Sequence, residues 1–276
     1  MIAALILSIV VGTWNGNWFP SGRAEHRAHP EVEAATIKAT AKMLAEGIAK
    51  MDPEGNDDVI LILNEIRGPR VASNLMEQIG RKGLKVASIS AYRRRDRFDQ
   101  QQDVVVTTLP VVSADWKNWS NRGKETCPRG FARARVVIEP SVTAAVYAVH
   151  LKSNYGQGKN QEAARLNRVK RAHAVEEFVQ MENGEYVIFG GDFNADKWKK
   201  EFSEERIFAI LEGKGYLNLL GLLPPGNRGT HPNRRWGDSA LDYIMARGFD
   251  SAAMPIIYPN EELSDHFALF TRLDPR

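Results

Sequence analysis

The sequence predicts a layered domain of α-helices and β-strands, on two observations. Short apolar, β-branched runs alternate with longer segments of helical period, and polar residues suited to metal and phosphate chemistry recur where the apolar runs end. The composition supports a sizeable core. Of 276 residues, 43% are apolar and 26% charged, while Gly 22 and Pro 13 are ordinary, so collagenous, disordered and coiled-coil readings fail. Lys+Arg 37 against Asp+Glu 34 gives a net charge of +3, too mild by itself to name a nucleic-acid partner. The sole cysteine, Cys127, excludes an intramolecular disulfide and a multi-cysteine zinc site, and it assigns no compartment.

The apolar run Ile2–Val11 has no basic residue before it and is too short to span a bilayer. It passes straight into Gly12-Thr13-Trp14-Asn15, so Leu5–Thr13 is read as a buried first strand and not as a removed leader. Ile37, Ala41, Leu44 and Ile48 form a stripe at helical spacing, and Val59–Leu63 is a continuous apolar strand. Val71, Leu75 and Ile79 predict a second helix, followed by strands at Lys85–Ile89 and Asp103–Thr108. Further strands are predicted at Ala132–Ile138 and Ala144–His150, and a helix carries Val169, Ala172, Val175 and Val179. Tyr186–Gly191, Leu241–Ala246 and Phe267–Arg272 complete the strands. No linker, composition shift or internal repeat divides the chain, so a single domain over residues 1–276 is expected.

Two segments read as long surface loops. Ser90–Gln102 carries Arg93, Arg94, Arg95 and Arg97, and Ser113–Gly130 carries Trp116, Trp119, Arg122, Lys124 and Arg129. Basic groups neutralise phosphates and exposed tryptophans stack on bases. A solvated charge run, with two tryptophans packed under their own loop, accounts for the same residues equally well.

Five strand-end sites carry the chemistry. Thr13-Trp14-Asn15 follows the first strand, and Asn64-Glu65-Ile66 leaves a carboxylate at the tip of a fully apolar one, where it needs a cation or a dense set of donors. At His150-Leu151-Lys152-Ser153-Asn154, alternation puts His150, Lys152 and Asn154 on one face, which suits an anionic substrate. Gly190-Gly191-Asp192-Phe193-Asn194 places Asp192 and Asn194 together, although a turn with an Asx cap explains that motif when it is taken alone. The fifth site pairs Leu241-Asp242-Tyr243 with Ser264-Asp265-His266, a hard oxygen ligand beside a proton-transfer group.

In this order and spacing, from about residue 11 to about 270, the motifs resemble the endonuclease/exonuclease/phosphatase superfamily, whose type member is deoxyribonuclease I. The resemblance implies a four-layer α/β/β/α sandwich, two central mostly antiparallel sheets flanked by helices. It also implies phosphoester hydrolysis with a divalent metal, Mg2+ or Mn2+. Glu65 then resembles the principal metal ligand, with Asn15 and Asp265 completing the shell. Asp192 and Asn194 resemble the pair that positions and deprotonates the attacking water. His266 resembles the histidine on the scissile phosphate, held by Asp242, and His150 the second histidine, as general acid or phosphate ligand. For the carboxylate partner of His150 the candidates are Asp96, Asp99 and Asp103.

The expected function is a nuclease acting on DNA, with RNA as a further substrate, in which Lys152, Asn154, Arg93, Arg94, Arg95, Trp116 and Trp119 bind the polyanion. The alternatives are a hydrolase of lipid head groups or small phosphate esters, and a catalytically silent binding module. A monomer with no membrane span and no obligate protein partner is expected.

Overall fold

A computed structural model describes residues 8–21, 30–94, 97–98, 101–154, 160–233, 237–260 and 262–276. The elements, in chain order, are β1 (Ile9–Phe19), α1 (Pro30–Met51), β2 (Asp58–Ile66), α2 (Pro69–Ile79), β3 (Lys85–Ile89), β4 (Arg93–Arg94), β5 (Arg97–Phe98), β6 (Gln102–Thr107) and β7 (Val111–Asn118). There follow β8 (Gly130–Glu139), β9 (Val142–His150), α3 (Gln161–Met181), β10 (Tyr186–Asp192), α4 (Ile207–Glu212), β11 (Leu217–Asn218), β12 (Asp242–Arg247), β13 (Phe249–Tyr258) and β14 (Ala268–Pro275).

Two six-stranded sheets result, ordered β13-β14-β1-β2-β6-β3 and β11-β12-β10-β9-β8-β7. Each has one parallel pair, β1 with β2 across α1 and β9 with β10 across α3, and is otherwise antiparallel. Strand alternation then sorts the side chains into layers. Ile9, Val11, Ile60, Ile62 and Val105 of the first sheet meet Val146 and Ile188 of the second, while Val10, Leu61 and Leu63 turn to Leu44 of α1 and Leu75 of α2. Burial on both faces is why Val59–Leu63 reads as a continuous apolar run. Phe178 of α3 stacks on Phe189 at 4.0 Å, and Phe208 of α4 reaches Tyr243 at 4.8 Å, so helices cover the outer face of the second sheet. The four-layer sandwich of the resemblance is the fold observed. Among the described residues no helix is long and apolar enough to cross a membrane.

The two expected loops are corrected. Val111–Asn118 pairs antiparallel with β8 as the edge strand β7. Its residues are largely exposed, so it lacks the apolar alternation that would have revealed it. Residues 90–102 are not a solvated loop at their ends: Ser90, Tyr92, Gln101 and Gln102 are buried, and Gln102 Oε1 accepts from Ser90 Oγ at 2.6 Å and from Tyr92 N at 2.9 Å. Arg95, Asp96, Asp99 and the side chain of Arg94 lie outside the described residues.

Candidate active site

At one end of the seam between the sheets, the inward-facing positions change from apolar to polar. On β1 the inward series Ile9, Val11, Thr13 ends in Asn15, and on β2 Ile60 and Ile62 lead to Asn64, the register partner of Asn15. On the opposing sheet, Asp192 of β10 lies in register with both His150 of β9 and Asp242 of β12. Register therefore groups Asn15 with Asn64 on one sheet and His150, Asp192 and Asp242 on the other, and the packing of the sheets brings the two groups together. Glu65 joins them because its φ of 59° breaks the alternation of β2 and re-aims the carboxylate.

Asn64 bolts the sheets to each other. Its Nδ2 donates to Asp103 Oδ1 at 2.7 Å and to Val149 O at 3.0 Å, and its Oδ1 accepts from Asp192 N at 2.9 Å. Gly191, with φ of 128°, makes room for this, since a Cβ there would stand 2.1 Å from Val149 O and 2.7 Å from Asn64 Oδ1. Asp103 also accepts from Tyr92 OH at 3.0 Å, and burial pushes it up to about 7 against the donors Asn64 and Tyr92 and the charge of Arg129. Asp103 is thus engaged at the seam and is not the partner of His150; His150 Nδ1 has no hydrogen bond among the described residues.

Asn15 Nδ2 donates to Asp192 Oδ2 at 2.9 Å and to Glu65 Oε1 at 3.4 Å. Glu65 Oε2 accepts from Trp18 N at 3.1 Å and from Gln101 Nε2, whose Oε1 in turn accepts from Arg129. His150 Nε2 lies 3.5 Å from Asp192 Oδ2 and 3.8 Å from Glu65 Oε1. Burial first, then the charges of Arg129, His266 and Lys152, hold that imidazole well below its ordinary value and so neutral. His266 behaves oppositely: burial works against its charged form, but Asp242, with Oδ2 2.8 Å from Nδ1, and then Asp192 lift it to about 10. Burial raises Asp192 to about 7 against His266, and Asn194 N donates to Asp192 Oδ1 at 2.8 Å. Ser264 ties the last strand to the first, its Oγ donating to Asn15 O at 2.7 Å and accepting from His266 N at 3.1 Å.

Asp265 is exposed and is placed with His231 and His266, their ligand atoms within 4.8 Å of one another. The ring of His231 meets that of His266 edge-on at 4.9 Å. Lys152 is half-buried, its Nζ donating to Ser153 O at 2.7 Å, and burial lowers its ammonium from the ordinary value. Asn154 has its Oδ1 taken by Arg171 Nη1 at 3.3 Å, leaving Nδ2 to donate. Arg93 is exposed, and Trp116, 37% exposed, stands edge-on to Tyr92 at 5.8 Å. Trp119 is corrected: only 4% exposed and packed on Phe131 at 5.1 Å, it is core and offers no face to a base. Gln101 was not expected at the site, and Arg129 was expected only among the basic groups of its loop; each directly precedes a strand, β6 and β8, and no motif singled either out.

Glu65 and the buried carboxylate of Asp192 supply hard oxygen donors that fit a hard divalent cation, whereas Asn15 turns Nδ2 to both carboxylates and its Oδ1 accepts from Asn17 N at 3.0 Å, so its oxygen would face a cation only after the amide rotates. Two sheets flanked by helices, with histidines and carboxylates at one end of their seam, define an α/β-sandwich hydrolase. The model of the Endonuclease/Exonuclease/phosphatase family matches residues 12–266, and the chain belongs to that family, whose members are phosphoester hydrolases that typically depend on a divalent metal.

Solved structures agree with the fold. An endonuclease/exonuclease/phosphatase from Beutenbergia cavernae matches at TM-score 0.66 and 14% identity, covering 98% of this chain and 72% of that one. Sphingomyelinase C from Streptomyces griseocarneus matches at 0.57 and 16%, covering 96% and 99%. The 3' phosphatase NExo from Neisseria, bound to a product DNA hairpin, matches at 0.60 and 14%, covering 96% and 99%. A comparison with curated protein sequences finds no match.

Proposed function

We propose that the protein is a metal-dependent nuclease that hydrolyses phosphodiester bonds of DNA, with RNA as a further substrate. The observation that carries this reading is the convergence of Asn15, Glu65, His150, Asp192, Asp242 and His266 at one end of the seam. Glu65 and Asn15, with Asp265 nearby, would hold Mg2+ or Mn2+, which would supply positive charge against the negative charge developing on the phosphoryl oxygens. Asp192, positioned with Asn194, takes the proton of the attacking water; a value near 7 suits a general base at neutral pH. His266, kept cationic by Asp242, meets the phosphate as an imidazolium. His150, with Nε2 facing Asp192 and Glu65, serves as general acid or as a hydrogen-bond donor to a phosphoryl oxygen.

The choice of a polyanion rests on what flanks these groups. Lys152, Asn154 and exposed Arg93 supply donors and positive charge, exposed Trp116 supplies a stacking face, and the sequence continues Arg93 into an arginine run with Arg94 and Arg95. The similar 3' phosphatase whose structure is bound to a product DNA hairpin supports the same choice. The test is cleavage of supercoiled plasmid, linear duplex and single-stranded DNA with Mg2+, Mn2+ or chelator, beside the Asp192→Asn protein. Metal-dependent cutting that is lost in the variant is expected, and nicking of the closed circle makes the action endonucleolytic. No cutting of any form overturns the substrate assignment in favour of lipid head groups or small phosphate esters.

A further inference from the structure

The chain leaving β9 carries the two expected anion ligands, Lys152 and Asn154, yet no strand pairing holds it beyond His150. Side chains and single backbone bonds do the holding. Leu151 N donates to Asp192 O at 2.9 Å and Leu151 O accepts from Asn194 Nδ2 at 3.2 Å, which fixes the first residue against the catalytic strand. Of the described residues that follow, Lys152, Ser153 and Asn154 each take a bond from α3. Asn167 Nδ2 donates to Ser153 O at 3.0 Å, and Arg171 Nη1 donates to Lys152 O and to Asn154 Oδ1. Asn167 and Arg171 are four residues apart, so one helix face carries both.

The Ser153 carbonyl also accepts from Lys152 Nζ at 2.7 Å. Asn167 therefore anchors the oxygen that in turn anchors the ammonium. Arg171 is fully buried and is paired with the buried carboxylate of Glu205. Such a pair costs several kcal/mol in desolvation and seldom stabilises a fold better than apolar packing would. Besides Glu205, the guanidinium donates to Lys152 O and Asn154 Oδ1, which makes fixing this segment its visible use.

We propose that Asn167 and Arg171 are positioning residues: from α3 they hold residues 151–154 in the conformation that presents Lys152 and Asn154 to substrate, with Glu205 as the buried counter-charge. The inference rests on the reading of Lys152 and Asn154 as substrate-binding groups. A double-mutant cycle tests it, with KM and kcat for cleavage of a labelled DNA duplex measured for wild type, Asn167→Ala, Lys152→Ala and the double variant, and thermal melts run alongside. Each single variant is expected to raise KM by about fivefold with kcat within about twofold, and the double variant to raise it no further than the larger single, because both act through the same ammonium. Effects on KM that multiply, or an unchanged KM in Asn167→Ala, overturn the proposal.

Arg171→Gln combined with Glu205→Gln removes both buried charges at once and is expected to raise KM in the same way. A folded protein with wild-type KM overturns the role of Arg171, and if this variant does not fold the Asn167 cycle decides. Should the wild-type protein cut no DNA, the substrate reading falls on its own, and the same cycle on bis(4-nitrophenyl) phosphate decides the positioning by the same criteria.

Discussion

Each reacting group has its protonation set by what surrounds it. Glu65→Gln, Asp192→Asn and His266→Ala are each expected to cost about 100-fold or more in turnover, measured by initial rates, with circular dichroism showing each variant folded. Wild-type-like rates from all three would sink the site. The pH profile should rise through a limb at or below about 7, as Asp192 loses its proton, and fall near about 10 as His266 loses its own. Asp242→Asn removes the largest charge that raises His266, so the alkaline limb should move down toward 6.5. Stability follows the same sign: the raised value of His266 contributes fully below about 6.5 and is lost as pH rises through about 10. Asn15, Glu65, Asp192, Asp242 and His266 were legible in the sequence because each polar residue interrupts an apolar strand. Gln101 was not, since its place depends on a long-range hydrogen bond to Glu65, and the place of Arg129 depends in turn on its bond to Gln101.

Among the elements, the strands buried on both faces were legible, and of the edge strands β3 at Lys85–Ile89 was legible while β7 and β13 were not. Val59–Leu63 could hardly be anything else, whereas β7 is exposed along most of its length and β13 carries Pro255 and two register shifts that erase its alternation. The end of β10 is the most constrained element. Gly191→Ala is expected to lower stability by ~3 kcal/mol or more, because a Cβ would meet Val149 O and Asn64 Oδ1 and the φ is unsuited to an L side chain. A chemical denaturation midpoint equal to wild type would show that the strand can shift to relieve both clashes. The length of α1 and α3 follows from their place as crossovers, since the parallel pairs β1–β2 and β9–β10 each need a connection that returns over the sheet.

For the whole molecule, a net charge of +3 is too small to drive binding to a polyanion, so local clusters must. Neutralising Arg93, Arg94 and Arg95 together should weaken DNA binding and reduce the slope of log affinity against log salt by up to about 3, roughly 0.9 for each phosphate no longer neutralised. An unchanged slope would make those arginines bystanders. Helices covering sheet could be read from periodicity and the pair of central sheets from the resemblance, but the way the sheets face each other could not be read from either, because Asn64 and Gly191 act across the seam at a separation no local pattern encodes. That seam makes the enzyme a reporter of its own breathing. Since Glu65 and Asn15 stand on one sheet and Asp192, His150 and Asp242 on the other, a slip of a fraction of an ångström between two intact sheets dismantles the catalytic group while every strand keeps its ladder. Under graded denaturant, turnover should therefore vanish before far-ultraviolet ellipticity changes, and amide exchange at Asp192, whose N–H is bonded to Asn64, should quicken in step with the loss.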